Sequence, residues 1–197
     1  MKLYTYWRSS SAYRVRILLG LKELVFEPIA VDLRPNASAQ RASEHRERNA
    51  MAQVPTLEWT TEDGRTRWLS QSMAIADYLE SVHPEPPVFP RDPYQRARAI
   101  QLAEIINSGI QPLQNSGTLA HLSELGVPSE PWARRFISLG LDALEAEARR
   151  EPYDFLVGGS PSVADAFLVP QLYNARRFGV AIERFERLLE VEARCAD

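Results

Sequence analysis

Apolar residues are spaced along this chain in two rhythms, and the change from one to the other divides it. Near the start, Lys2–Tyr6 reads as a short strand. Val15, Leu18, Leu19 and Leu21 follow at mixed steps of three and four, the stripe of an amphipathic helix. Leu24–Asp32 is rich in Val, Ile and Phe and reads as a second strand. Strand, helix, strand in that order predicts a parallel pair joined by a right-handed crossover. Two apolar runs, Gln53–Leu57 and Arg67–Leu69, then flank an Asp63-Gly64 pair, which signals a hairpin. Ser70-Gln71-Ser72 opens a helix over MAIADYLESV. The polar stretch Gln40–Asn49 reads as a solvated helix or loop rather than a basic binding patch.

Residues 83–93, HPEPPVFPRDP, concentrate five of the 14 prolines and form a stiff linker. Beyond it the rhythm is helical throughout. Tyr94–Asn107, Pro131–Arg150 and Val163–Phe178 are the clearest segments, broken by Pro112, by Gly126-Val127-Pro128 and by Gly158-Gly159. Ser162-x-x-Asp165 fits a capping box with Asp in place of Glu. The expected organisation is therefore α+β: a domain over 1–82 with one antiparallel edge, a linker over 83–93, and an all-helical domain over 94–197.

Composition narrows the function. With 197 residues and 45% hydrophobic side chains the chain can bury a real core. The formal charge of -3 gives no basic field that would gather nucleic acid, so a small anion would have to meet a local cluster of arginines. The single cysteine, Cys195, allows no internal disulfide. His45, His83 and His121 lie too far apart for metal-ligand spacing, so no metal is expected. The N-terminus lacks the apolar run of a secretory signal, and nothing approaches the roughly 20 apolar residues of a membrane span. A cytoplasmic protein is expected, with neither membrane nor nucleic acid as partner. Neither a G-x-S-x-G elbow nor a phosphate loop occurs.

Candidate chemistry collects in the first domain. Ser9-Ser10-Ser11 stands at the mouth of the first helix, where hydroxyls and backbone donors favour an anion, including a thiolate, although the same residues also suit an ordinary cap. Val54-Pro55 opens an apolar strand. Such a proline is awkward unless its peptide bond is cis or it lies on an edge, and a cis bond leaves the main chain of Val54 available to an extended peptide. Gln71-Ser72 suits either an α-carboxylate or capping.

Taken in this order, the segments YWRSSSAYRVRILLGLK, QVPTL, LSQSMAIADYLE, SGIQPLQN and SVADAFLVPQLYNARRFGV resemble the zeta class of glutathione transferases, the group that holds maleylacetoacetate and maleylpyruvate isomerases. The resemblance runs from Lys2 to about Ala193. It implies a thioredoxin-like domain with a mixed four-stranded sheet, followed by an all-α domain facing the electrophile, and glutathione as cofactor. Glutathione would lie against Ser9, Ser10, Ser11 and Arg14, pair its cysteinyl backbone with Val54 held by cis-Pro55, and place its γ-glutamyl group on Gln71 and Ser72. Gln40 would fall within reach, and Gln111, Asn115, Ser116 and Gly117 would close the site. Arg8 and Arg177, with Arg176 as a neighbouring candidate, would bind the two carboxylates of a small cis-unsaturated substrate.

The implied reaction is thiolate addition, rotation about the former double bond, and expulsion of glutathione to leave the trans isomer. Ser9, with Ser10 second, would keep the sulfur ionised. Family members are usually homodimers, so a homodimer is expected. The expected reaction is maleylacetoacetate to fumarylacetoacetate, with maleylpyruvate isomerisation or a general transferase activity on α-haloacids as alternatives, and a non-catalytic binding protein is disfavoured because the full set of site residues is retained. Two departures stand out. Ser11 occupies the position where zeta proteins carry cysteine, which puts in doubt any activity that uses that thiol. The chain stops at Ala196-Asp197, earlier than the family's usual final segment, so a closing flap is expected to be shorter or missing.

Overall fold

Four residues of extended chain, Lys2–Thr5 (β1), lie at the heart of the first sheet. The computed structural model describes residues 1–33 and 43–196. Contacts divide it into two units, Met1–Pro87 and Val88–Asp197. In the first, α1 (Ser10–Leu21) leads to β2 (Glu27–Ala30), α2 (Ser43–Arg48), β3 (Thr56–Thr60), β4 (Thr66–Ser70) and α3 (Ser72–Val82). The strand order is β2-β1-β3-β4, with β2 parallel to β1 and the other two pairings antiparallel. The crossover pair and the hairpin follow the sequence pattern. β2 is shorter than that pattern suggested, because its pairing is limited to the four residues of β1, from Lys2↔Glu27 to Thr5↔Ala30. Leu24 and Phe26 instead pack from the preceding loop against the core.

Period-two alternation decides where β1 and β3 bury their side chains. Leu3 and Leu57 oppose each other across the ladder and pack with Val15, Leu19, Ile75 and Leu79, all fully buried. Each such side chain contributes about 1.5–3 kcal/mol by leaving water. A second cluster joins Tyr4, Ala12, Val31 and Val54. Glu58 ties the strands together, accepting from the Tyr4 hydroxyl at 2.8 Å and from Trp68 Nε1 at 2.9 Å, with Lys2 Nζ at 3.2 Å.

The second unit is helical: α4 (Pro93–Glu104), a π-helical segment (Ile105–Ile110), α5 (Gln111–Gln114), α6 (Ser116–Glu124), α7 (Ser129–Arg150), α8 (Val163–Arg177) and α9 (Glu186–Arg194). Pro112 does not break the path as the sequence suggested. It sits in the first turn of α5, where its missing N–H costs nothing, and the preceding turn widens into the π segment. The capping box at α8 forms, Asp165 accepting from Ser162 N at 2.8 Å and from Leu156 N at 2.9 Å. Glu145 of α7 performs a similar task for α9, accepting from Arg187 N and Leu188 N, each at 3.1 Å. Among the described residues, no helix is long and apolar enough to cross a membrane, and no cluster of His, Cys, Asp and Glu is arranged to hold a metal ion.

Gly140 lets α7 approach the π segment closely. A Cβ placed there would lie 2.2 Å from Cγ1 of Ile110 and 2.4 Å from its Cδ1. Overpacking of this kind costs about 1–3 kcal/mol, against a helix-propensity gain of about 1 kcal/mol for replacing glycine. Gly140→Ala is therefore expected to lower the thermal midpoint. An unchanged or higher midpoint would show that the contact is not close.

Candidate active site

Ladder register brings three chain segments to one edge of the first sheet. β1 ends at Thr5, β3 begins at Thr56 opposite Tyr4, and β4 ends at Ser70 opposite Thr56. The loop into α1, the Val54-Pro55 dipeptide and the Gln71-Ser72 turn therefore emerge side by side. Ala12 in the first turn of α1 shares a buried cluster with Val54, which confirms the proximity.

Ser9 is the N-cap of α1. Its backbone is extended, and its Oγ accepts from Ala12 N at 3.2 Å. A hydroxyl that accepts in this way still has its own proton to give. The ordinary capping role is thus realised without using up the donor. Ser10 is buried in the first turn, and Ser11 is half-buried beside it. With no acidic residue in that turn, the helix presents an uncancelled positive end.

The Val54-Pro55 peptide bond is cis. The edge-strand alternative does not hold, because β3 lies between β1 and β4 and starts only at Thr56. Among the described residues, the N–H and C=O of Val54 form no main-chain hydrogen bond. At the end of β4, Gln71 has φ +71° and ψ 115°, a conformation that L side chains rarely adopt. Its side chain is exposed and caps nothing. Ser72 follows, buried, with Oγ accepting from Arg14 Nη1 at 3.2 Å. Arg14 itself is 0% exposed. Its Nη1 meets this edge at the Ser72 hydroxyl.

The comparisons with known proteins agree with this layout. Residues 1–81 match the family "Glutathione S-transferase, N-terminal domain" and residues 137–194 match "Glutathione S-transferase, C-terminal domain". A probable maleylacetoacetate isomerase of Drosophila melanogaster is 40% identical over 190 residues, 96% of this chain and 81% of its own. A crystal structure of maleylacetoacetate isomerase from Anaeromyxobacter dehalogenans 2CP-1, with bound GSH in its active site, is 51% identical, with a TM-score of 0.90 over 99% of this chain and 89% of that one. A maleyl pyruvate isomerase described as a bacterial zeta-class enzyme is 34% identical, with a TM-score of 0.91 over 100% of this chain and 92% of that one. The chain belongs to the zeta class of glutathione transferases.

The remaining positions expected of such a transferase are placed as follows. Arg8 is exposed, its guanidinium 5.1 Å from the ring of Trp7 and 5.9 Å from that of Tyr6, and among the described residues it has no acidic partner. In the second unit, Gln111 Oε1 accepts from Gln114 Nε2 at 3.1 Å, while Asn115 caps α6 by accepting from Gly117 N at 2.9 Å; Ser116 and Gly117 are exposed. Arg176 is held by both oxygens of Glu192, the Nη1 contact at 2.6 Å, and is thereby committed. Arg177 is exposed over the Phe178 ring at 5.2 Å, with no carboxylate partner among the described residues. Gln40 lies outside the described residues. The Cys195 thiol is pushed up to about 12 by burial, with Asp165 and Glu192 adding to the effect, so it stays protonated near neutrality.

His45 and Asn49, both buried, were missed by the sequence reading, which took their stretch for a solvated face. Its mixed charge gave no sign that one histidine in it faces inward.

A non-glycine residue at the Gln71 dihedrals stores about 1–3 kcal/mol of strain. Gln71→Gly is therefore expected to move the urea midpoint upward, and a downward shift would mean that the turn is relaxed.

Proposed function

We propose that this chain is a glutathione-dependent isomerase that converts the cis double bond of a small unsaturated dicarboxylate to trans, with maleylacetoacetate as the substrate. The observation that carries this reading is the main chain of Val54, without a main-chain partner among the described residues, next to a cis proline and packed near the first turn of α1 that Ser9 caps. An extended tripeptide thiol fits these groups. Val54 offers one donor and one acceptor to the cysteinyl backbone. Ser72, whose Oγ already accepts from Arg14, keeps its own proton to donate to the γ-glutamyl carboxylate, with the exposed Gln71 amide beside it. Ser9 and Ser10 are the hydroxyls assigned to the sulfur, with Ser11 alongside. Further contacts from Gln111, Asn115, Ser116 and Gly117 are what the family resemblance implies.

Bound there, glutathione supplies a thiolate nucleophile for the conjugated cis alkene and leaves unchanged once that bond has turned. The chain's task is to keep the sulfur ionised and to hold the substrate. A free thiol ionises near about 8.5. Donation from Ser9 and the positive end of α1 favour the charged form, and a drop of about two units corresponds to roughly 2.7 kcal/mol. Arg8 and Arg177 are the proposed clamps for the substrate carboxylates, because a planar guanidinium can bind a carboxylate through two parallel hydrogen bonds. Arg176 is set aside from this role by its pairing with Glu192.

The maleylacetoacetate isomerase of Anaeromyxobacter dehalogenans 2CP-1, at 50–51% identity, supports the first substrate; the maleylpyruvate isomerases at 34–36% and a second maleylacetoacetate isomerase at 31% do not separate the two. The reading extends to a cytoplasmic homodimer serving aromatic amino acid breakdown, as the family resemblance implies.

Parallel assay with maleylacetoacetate, maleylpyruvate and a dihaloacid is expected to show the fastest turnover on the first, with the glutathione concentration constant. Absence of isomerisation, or stoichiometric loss of glutathione, would refute the assignment. Arg8→Ala and Arg177→Ala should each raise the dicarboxylate KM about tenfold, the ~1.4 kcal/mol of one charge-assisted contact, and leave the glutathione KM nearly unchanged. Equal dicarboxylate KM in both variants and the parent chain would remove the clamp. Ser9→Ala should lower kcat about 100-fold, as loss of one preorganised donor does, and an unaffected kcat would reassign the sulfur's partner.

A further inference from the structure

Two buried side chains, His45 of α2 and Asn49 just after it, converge on one backbone oxygen, that of Gln53. His45 Nε2 lies 2.9 Å from the carbonyl oxygen of Gln53, and Asn49 Nδ2 donates to the same oxygen at 2.8 Å. Both side chains are almost wholly enclosed, His45 3% and Asn49 4% exposed. A carbonyl only accepts, so the His45 proton must sit on Nε2. The Asn49 amide is fixed in orientation as well, because its Oδ1 accepts from Met51 N at 3.1 Å. Both lone pairs of the Gln53 oxygen are thereby occupied.

This matters because of what shares the peptide unit. The Gln53–Val54 bond is trans, the cis bonds being Val54–Pro55 and Glu85–Pro86. In a planar trans peptide the N–H points away from the C=O. Fixing the Gln53 oxygen from the α2 side therefore fixes the Val54 N–H on the opposite side, and that N–H has no main-chain partner among the described residues. α2 is itself anchored to the sheet: the Arg48 guanidinium stands 4.6 Å over the Tyr4 ring, and its Nε is 3.8 Å from Glu58.

We propose that His45, together with Asn49, is a positioning residue for glutathione. By clamping the Gln53 carbonyl, it aims the Val54 N–H at the cysteinyl unit of the bound tripeptide. This inference rests on the glutathione-dependent reading given above. His45 does not touch the ligand in this scheme. Its effect passes through one rigid peptide plane, so it bears on glutathione affinity and leaves the chemical step alone.

The test compares the full chain with His45→Phe, which keeps ring volume beside Tyr4 but removes the donor, and with His45→Gln, whose amide nitrogen can take the place of Nε2. Calorimetric titration with glutathione should show a Kd raised about tenfold in His45→Phe and restored to within about threefold in His45→Gln. The kcat at saturating glutathione should stay within about twofold of the parent in both variants. Hydrogen exchange across Asn49–Leu57 in the ligand-free protein should speed up in His45→Phe and return in His45→Gln. Unchanged affinity and exchange in His45→Phe would overturn the proposal, and so would a loss confined to kcat. If His45→Phe does not fold, His45→Asn, whose shorter amide falls short of Gln53, replaces it; equal glutathione affinity of His45→Asn and His45→Gln would then overturn the proposal. Failure of the parent chain to bind glutathione, with the exchange pattern as expected, would refute the functional reading while leaving the clamp on Gln53 standing.

Discussion

The main-chain N–H and C=O of Val54, at the end of the sheet and without a main-chain partner among the described residues, are the constraint on which the proposed site depends. β3 could in principle extend its ladder backward past Thr56, but the proline at 55 has no N–H to give, and the chain turns away there. Val54 keeps a donor and an acceptor, each a liability of about 1–3 kcal/mol if buried without a partner. On the proposed reading, an extended ligand that supplied both partners would relieve that liability and draw its affinity from the main chain. The side chains that the same register delivers beside it, Ser9 after β1 and Ser72 after β4, are the ones proposed to add specificity.

The electrostatics are arranged on a local scale. A formal charge of -3 would repel anions at long range. The site answers with short-range donors: the uncancelled N-terminus of α1, and a fully buried Arg14 whose Nη1 orients the Ser72 hydroxyl. Such groups act within a few ångströms and are screened little by salt. Arg8 and Arg177 stand exposed, without acidic partners among the described residues, while Arg176 is tied to a carboxylate. This contrast separates cations available to a ligand from those that hold the fold.

Much of this was legible in the sequence, for identifiable reasons. The crossover pair, the hairpin around Gly64 and the helical second half were written in hydrophobic rhythm and turn chemistry. Ser9 as a cap and the Ser162–Asp165 box were written in local spacing. Other features were not. Pro112 looked like a break because a proline's position within a helix turn cannot be read until the helix start is known. The inward face of His45 was hidden because α2 has only six residues, too few for a polar helix to display a period. The engagement of Arg176 depends on Glu192, sixteen residues away on another helix, and no local pattern records that pairing.

The central claim is that this edge of the sheet stabilises a thiolate. Cys195, the sole cysteine, titrates only near about 12, so ultraviolet thiolate absorbance of the glutathione complex near neutrality reports the ligand's sulfur alone. The thiol of glutathione bound to the unaltered chain is expected to ionise about two pH units below that of free glutathione. Coincident titration curves for bound and free glutathione would contradict it.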